Sequence, residues 1–379
     1  MEANQGHEFY LVITPGFEQL ALQELERWRV PLLAPPQVER GGLTLNLESL
    51  ARGYALNQYL KIPTRILLRV GRFGCRDFPK LFKKASQVPW ENWFSDDTIL
   101  TFQASSHASR LFVKKRIETT CEEARERHLK NRGAPKNPTG REQKILVRLD
   151  DDVCTLSLDT SGDLLHKRGL RPLSSDAPIR ETMASAVLQF LEGLKGNSSN
   201  VELVDPMMGG GTFFLEAALL DQVISSREYA FESFAGVEKT TPTATRDSSV
   251  HFLAFRGLEV SEKTIAAARE NLSDVAIELQ TTCADIFEAD PQLSNAPKWL
   301  VTNPPYGERL KISVPLSRYY ADLFESCERV FAPALACFIL PEKARPLSLA
   351  VPKQWKRTAD LAFSNGGLAV RAVVYERKH

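Results

Sequence analysis

Asn303, Pro304, Pro305 and Tyr306 follow the apolar run "KWLVT", and they are the residues in this chain best suited to chemistry. The chemistry that needs them is methylation of an exocyclic amine on a nucleobase. Such a nitrogen delocalises its lone pair into the ring and is a poor nucleophile. Two acceptors placed on its N–H groups draw it toward tetrahedral geometry and aim the lone pair. The side-chain oxygen of Asn303 and the backbone carbonyl of Pro304 can be those acceptors. The prolines fix φ and stiffen the direction of that carbonyl, which is preorganisation toward the transition state. Tyr306 can stack on an extruded base. An Asp would accept as well as an Asn, so the four residues do not distinguish guanine from adenine.

A methyl donor is then required, and "VELVDPMMGGGTFFLEAAL" offers its site: strand, Asp205, three glycines, helix. The turn lacks the Gly-Lys-Ser/Thr of a P-loop, and Phe213 and Phe214 stand where a dinucleotide fingerprint needs its last Gly. The pattern D-P-x-x-G-x-G-T, formed by Asp205, Pro206, Met207, Gly209, Gly211 and Thr212, suits S-adenosylmethionine. Asp205 would accept from its ammonium. At the end of a second strand, Glu259 with Val260 is placed for the ribose hydroxyls. At the end of a third, Asp285 with Ile286 is placed for the adenine amine. A C5-type nucleophilic Cys is absent from the Asn-Pro-Pro-Tyr run, and Cys283, two residues before Asp285, is expected in the core. His7, His107, His128, His166, His251 and His379 are dispersed and the six cysteines form no CxxC pair, so neither a metal site nor a disulfide framework is expected.

These residues need a doubly wound sheet to bring them together. Beyond the Pro-, Ser- and Gly-rich stretch "RGLRPLSSDAPIRE", the pattern predicts helix 179–194, strand 201–204, helix 213–220, strand 257–260 and helix 263–271. Strands 277–282 and 298–302, helix 316–330 and strand 335–340 follow. Such alternation implies right-handed βαβ units and a parallel sheet whose carboxyl edge binds ligands. Near the C-terminus, "NGG" between two strand-like runs predicts a hairpin that adds an antiparallel edge strand. The N-terminal half reads as α+β, with strands at "FYLVIT", "LTLNLE", "TRILLRVGRF" and "TILTFQAS". Its helices are expected at "FEQLALQELERW", "FPKLFKKASQV" and 109–129, and "KILVRLDDDVCTLSLDTSG" reads as a hairpin turning at "DDD".

The net charge of +1 conceals an uneven distribution. Residues 61–84 carry eight Lys/Arg against one acid, and residues 110–148 carry twelve against five. Two such runs in one half point to an anionic polymer, with Arg110, Lys114, Lys115, Arg116, Arg132 and Lys136 as its contacts. No long uncharged apolar run and no basic-then-apolar leader is present, so a cytoplasmic protein is expected.

"VDPMMGGGT", "LEVS", "CADIF" and "TNPPYGERL", preceded by "LHKRGLRPLSSDAPIRETMASA", resemble the THUMP-domain RNA guanine-N2 methyltransferases over nearly the whole chain. Those acting on 23S ribosomal RNA are the nearest in look, with tRNA enzymes close by. The resemblance implies a ferredoxin-like domain over 1–70, a THUMP RNA-binding domain over 71–165 and a class I, Rossmann-like methyltransferase domain over 166–379. It implies N2-methylguanosine as product and S-adenosylmethionine as cofactor, with Arg180, Glu181 and Thr182 by the methionine end. Tyr229–Phe234, "YAFESF", resembles the family's insertion after the first helix of the catalytic domain. The "MMGGG" turn departs from the family, with Met208 where Cys is frequent and Gly210 where Ser is common, but the required glycines remain. An adenine-N6 methyltransferase and a catalytically silent RNA-binding module are the rival readings.

Overall fold

The computed structural model describes residues 6–133, 139–169, 179–237, 244–307, 314–342 and 351–378. They fall into two compact units that are not contiguous in sequence. The first takes its described residues from Met1–Ile13, Val30–Arg168 and Val223–Ala244, the second from Thr14–Arg29, Gly169–Gln222 and Thr245–His379.

The first unit is built on a seven-stranded sheet in the order β2-β3-β1-β4-β7-β6-β5. Its strands are β1 (His7–Val12), β2 (Gln37–Glu39), β3 (Gly42–Leu47), β4 (Arg65–Gly74), β5 (Ile99–His107), β6 (Glu142–Asp150) and β7 (Val153–Asp159). Every neighbouring pair is antiparallel except β5 and β6. The "DDD" turn closes the β6–β7 hairpin with two residues, Asp151 and Asp152, both left-handed at φ 47° and 58°, a conformation Asp tolerates better than most residues. The expected division between residues 70 and 71 falls inside β4, beside a register shift between Arg69 and Gly71.

Helices α2 (Leu50–Tyr59), α3 (Phe78–Ser86) and α4 (Lys114–Asn131) complete this unit. Asp77 caps α3 by accepting from the Lys80 N–H at 2.7 Å, and Ser49 caps α2. Neither α2 nor β2 was expected, because α2 carries Gly, Asn and Gln among its apolar residues and β2 is three exposed residues long. Tyr229–Phe234 packs in this unit too, with Phe231 stacked on Tyr54 at 5.2 Å and Phe234 edge-on to Phe94 at 5.0 Å.

The second unit carries the doubly wound sheet, in the order β10-β9-β8-β11-β12-β14-β13. Strands β8 (Ser198–Asp205), β9 (Val250–Glu259), β10 (Glu278–Cys283), β11 (Lys298–Thr302) and β12 (Leu335–Pro341) are parallel. Strands β13 (Trp355–Asn365) and β14 (Leu368–Arg377) form the expected hairpin, with Gly366 and Gly367 both at positive φ. Strand order reverses between β8 and β11, which opens a crevice at their carboxyl ends. Helices α5 (Glu181–Lys195), α6 (Thr212–Leu219), α7 (Glu262–Asn271) and α8 (Leu316–Phe331) alternate with the strands. A buried cluster including Val204, Leu258, Leu300, Leu323, Phe331 and Phe338 joins sheet to helix.

Helix α1 (Glu18–Arg27) also belongs to the second unit, although it reads in sequence as part of the N-terminal half. Polar partners explain this. Glu24 is buried and accepts from Gln189 on α5 at 2.7 Å, and Arg27 pairs with buried Glu192 on the same helix. No helix among the described residues is long and apolar enough to cross a membrane.

Candidate active site

Three strand ends present an acid in one repeated geometry. Asp205 closes β8 and accepts from the Met207 N–H at 3.0 Å. Glu259 closes β9 and accepts from the Ser261 N–H at 3.1 Å. Asp285, just past β10, accepts from the Phe287 N–H at 3.0 Å. Each carboxylate spends one oxygen on the turn two residues downstream. The second oxygen is not needed by that turn.

The turn after β8 brings backbone close to whatever occupies the crevice. Gly209 and Gly211 lie at φ 51° and 80°, where a side chain would be strained. Gly211 is the N-cap of α6 and Thr212 begins the helix, whose first N–H groups have no partner within it. Asn271 on α7 donates to the Gly210 carbonyl at 3.1 Å and ties the turn down. Met208 is buried and lies across Gly257 on β9, where an added Cβ would meet its Sδ at 2.1 Å. Gly257→Ala is expected to lower stability by about 1–3 kcal/mol through overpacking. Urea unfolding of this variant and of the Gly257→Ala/Met208→Ala pair checks it, the second change recovering most of the loss.

Asp205 is 3% exposed, and burial pushes its carboxyl up to about 7. The Met207 N–H and the Thr302 hydroxyl oppose that rise, and the negative charge of Glu259 adds to it. Among the described residues no cation pairs with this carboxyl. The three carboxylate acceptors at the strand ends fit a ligand with an ammonium, vicinal hydroxyls and an aromatic amine, which is the chemistry of S-adenosylmethionine. Val260, beside Glu259, is 66% exposed and leaves an apolar surface there. Thr182, near the start of α5, is buried with its hydroxyl unpartnered among the described residues, while Arg180 caps that helix in the open. Glu181 is the first residue of α5. Pro206 is buried in the turn.

The fourth strand end carries the reactive run. The Tyr306 hydroxyl donates to Asn303 Oδ1 at 2.5 Å, so the phenol of this half-buried ring holds the amide of Asn303 as well as offering a face to stack on. Burial pushes the Tyr306 hydroxyl up to about 12, so it remains a donor near neutral pH. Tyr320 on α8 donates to the Pro305 carbonyl at 3.0 Å. Among the described residues no donor is bonded to the Pro304 carbonyl. Glu308 and Arg309, which extend the run in sequence, lie outside the described residues.

Sequence reasoning missed Tyr319 and Tyr320. Tyr319 donates to Met207 Sδ at 3.8 Å and packs edge-on to Phe287 at 5.5 Å, so α8 braces both the turn and the reactive run. Their signal is only positional: two tyrosines one turn into the helix that follows the run. One expectation is corrected. Cys283 is exposed, with its thiol on the Val260 carbonyl at 3.5 Å, because β10 is an edge strand with one flank open. The other five cysteines are buried. Ile286, beside Asp285, is 1% exposed and belongs to the buried cluster behind the strand ends.

In the first unit, Arg110, Lys114, Lys115 and Arg116 are exposed, with Arg116 stacked over Phe78 at 4.0 Å. Arg132 is differently placed. It pairs with Glu91 at 3.1 Å and Asp96 at 3.3 Å, so its charge is largely met within the protein. Lys136 lies outside the described residues. No group of His, Cys, Asp and Glu suited to a metal ion occurs among the described residues.

A family model for the RMKL-like methyltransferase domain matches residues 168–370, and one for the THUMP domain matches residues 75–159. Ribosomal RNA large subunit methyltransferase K/L from Syntrophotalea carbinolica is 27% identical over 351 residues, covering 86% of this chain and 48% of that protein. The chain thus spans about half the length of that relative. An RNA methyltransferase candidate from Synechocystis is 25% identical, covering 97% of this chain and 96% of that one. Among solved structures, SMU.472, a methyltransferase candidate in complex with SAH, matches with TM-score 0.80 at 24% identity over 99% of both chains. That likeness is one of class I fold.

Proposed function

The chain belongs to the RMKL-like family of methyltransferase domains, and from that premise we propose that it is an S-adenosylmethionine-dependent RNA methyltransferase forming N2-methylguanosine, with 23S ribosomal RNA as favoured substrate. The observation that carries this reading is the meeting of four strand ends at one sheet edge: Asp205, Glu259 and Asp285 beside Asn303–Tyr306. When bound, the cofactor supplies an electrophilic methyl on a sulfonium. Asp205 receives its ammonium, Glu259 its ribose hydroxyls and Asp285 its adenine amine, with Val260 against the ring. Arg180, Glu181 and Thr182 are assigned to its methionine end. Asn303 Oδ1 and the Pro304 carbonyl then take the two N–H groups of the guanine amine. The N-terminal unit contributes the grip on RNA. The K/L relatives direct the choice toward ribosomal RNA, and tRNA is the alternative substrate.

Incubation of total RNA with methyl-labelled cofactor, followed by nucleoside mass spectrometry of separated ribosomal RNA and tRNA, tests the reading. N2-methylguanosine in the ribosomal fraction is the expected product. N6-methyladenosine alone would show that the amine belongs to adenine. In equilibrium RNA-binding titrations at several salt concentrations, replacing Lys114, Lys115 and Arg116 with Gln should weaken RNA binding and reduce the slope of log K against log salt by about 2–3. An unchanged slope would mean that these cations touch no phosphate.

A further inference from the structure

Phe112 is 72% exposed and Val113 beside it 49% exposed. Phe112 is the one aromatic side chain exposed to that degree among the described residues. Leaving it in water forgoes most of the stabilisation that burying a Phe side chain gives. Its position is built rather than accidental. Ser106 Oγ donates to the Leu111 carbonyl at 2.6 Å, and the Leu111 side chain is buried. Upstream, Ser109 Oγ donates to the His107 carbonyl at 2.8 Å and accepts from the Asp152 N–H at 3.0 Å. Asp152 Oδ1 in turn accepts from the Arg110 N–H at 2.8 Å. The loop is thus pinned up to Leu111, whose side chain turns inward, and Phe112 directly after it stands exposed.

The surroundings decide what could cover it. Lys114 and Lys115 are exposed and make no ion pair with any described residue. Arg116 is held over Phe78, and Arg110 shares Asp152 with Arg76. A flat aromatic face bordered by unpaired ammonium groups is poorly matched to an apolar protein patch, which would have to desolvate those charges. It is well matched to a base stacked on the ring with phosphates on the lysines.

We propose that Phe112 is a stacking platform for an unpaired nucleotide of the RNA, with Lys114 and Lys115 on the adjoining phosphates. The proposal rests on the RNA-methyltransferase reading above and adds to it a requirement for single-stranded character at this face.

The test uses the full chain and two probes: an RNA hairpin with a 3′ single-stranded overhang carrying 2-aminopurine, and the same hairpin with a blunt end. Phe112→Ala is expected to lose roughly tenfold in affinity for the overhang probe, with the salt slope unchanged and the blunt probe bound as before. Phe112→Trp should retain wild-type affinity and the quenching of 2-aminopurine that Phe112→Ala loses. Lys114→Gln with Lys115→Gln should instead weaken both probes and lower the slope. Wild-type affinity of Phe112→Ala for the overhang, or an equal loss on both probes, overturns the platform alone. Wild-type protein that binds neither probe overturns the RNA reading and the platform together. Sedimentation showing a dimer that Phe112→Ala dissociates would assign the face to a second copy and overturn the proposal.

Discussion

Replacement of Asn303 by Ala is expected to lower methyl transfer by about 10²–10³-fold, the range for losing one preorganised polar group at a reacting centre, while cofactor affinity changes little. The separation follows from where the amide stands. Asp205, Glu259 and Asp285 close three other strands, each braced by its own turn, and none of those braces passes through Asn303. Asn303 Oδ1 is instead held by the Tyr306 hydroxyl, and the run behind it by Tyr320 on the Pro305 carbonyl. Tyr306→Phe therefore keeps the ring and frees the amide to rotate, and its loss should be smaller, about tenfold. Single-turnover rates with excess enzyme, read beside calorimetric cofactor affinity, separate the two effects. A parallel fall in affinity and rate for Asn303→Ala would mean that the amide serves the cofactor rather than the amine.

The path from sequence to this site was legible where chain connectivity alone decides geometry. In a parallel sheet, consecutive strands deliver their carboxyl ends to one edge, so an acid read at a strand end is already placed. Asp205, Glu259, Asp285 and Asn303 are all of this kind. What stayed hidden depends on which surfaces meet. The apolar spacing of α1 announces a buried face, yet nothing in it says that Glu24 and Arg27 find Gln189 and Glu192 more than a hundred and sixty residues away. Tyr319 and Tyr320 look like ordinary core-facing residues of an amphipathic helix until their hydroxyls are seen on Met207 and Pro305. Cys283 misled for a related reason: its apolar character suggested the core, but edge position in the sheet is a property of strand order, which periodicity does not carry. Phe112 is the converse, an aromatic that spacing would bury and that a pinned loop turns outward.

Asp205→Asn is expected to stabilise the fold while destroying much of the affinity for cofactor, two changes of opposite sign. The carboxyl is pushed up to about 7 by burial, far above its usual value. Between the unfolded value near 4 and about 7, the folded chain holds a proton that the unfolded chain has released, so stability falls as pH rises through that window. The cost is greatest above pH 7 and at most about 4 kcal/mol. An Asn keeps the acceptor for the Met207 N–H and carries no charge to desolvate, so the variant should unfold at higher temperature than wild type at pH 8. That advantage should shrink steadily toward pH 4. Cofactor affinity should behave in the opposite way. An ammonium favours the ionised carboxylate, so wild-type affinity should rise about severalfold between pH 6 and 7.5 with proton release on binding, and Asp205→Asn should be both weaker and flat across that range. Thermal unfolding and calorimetry in buffers of differing ionisation enthalpy measure both halves. A destabilised variant that binds cofactor with the wild-type pH profile would show that Asp205 is a turn residue and no more, since only a carboxylate kept for a cation is worth burying at a loss to the fold.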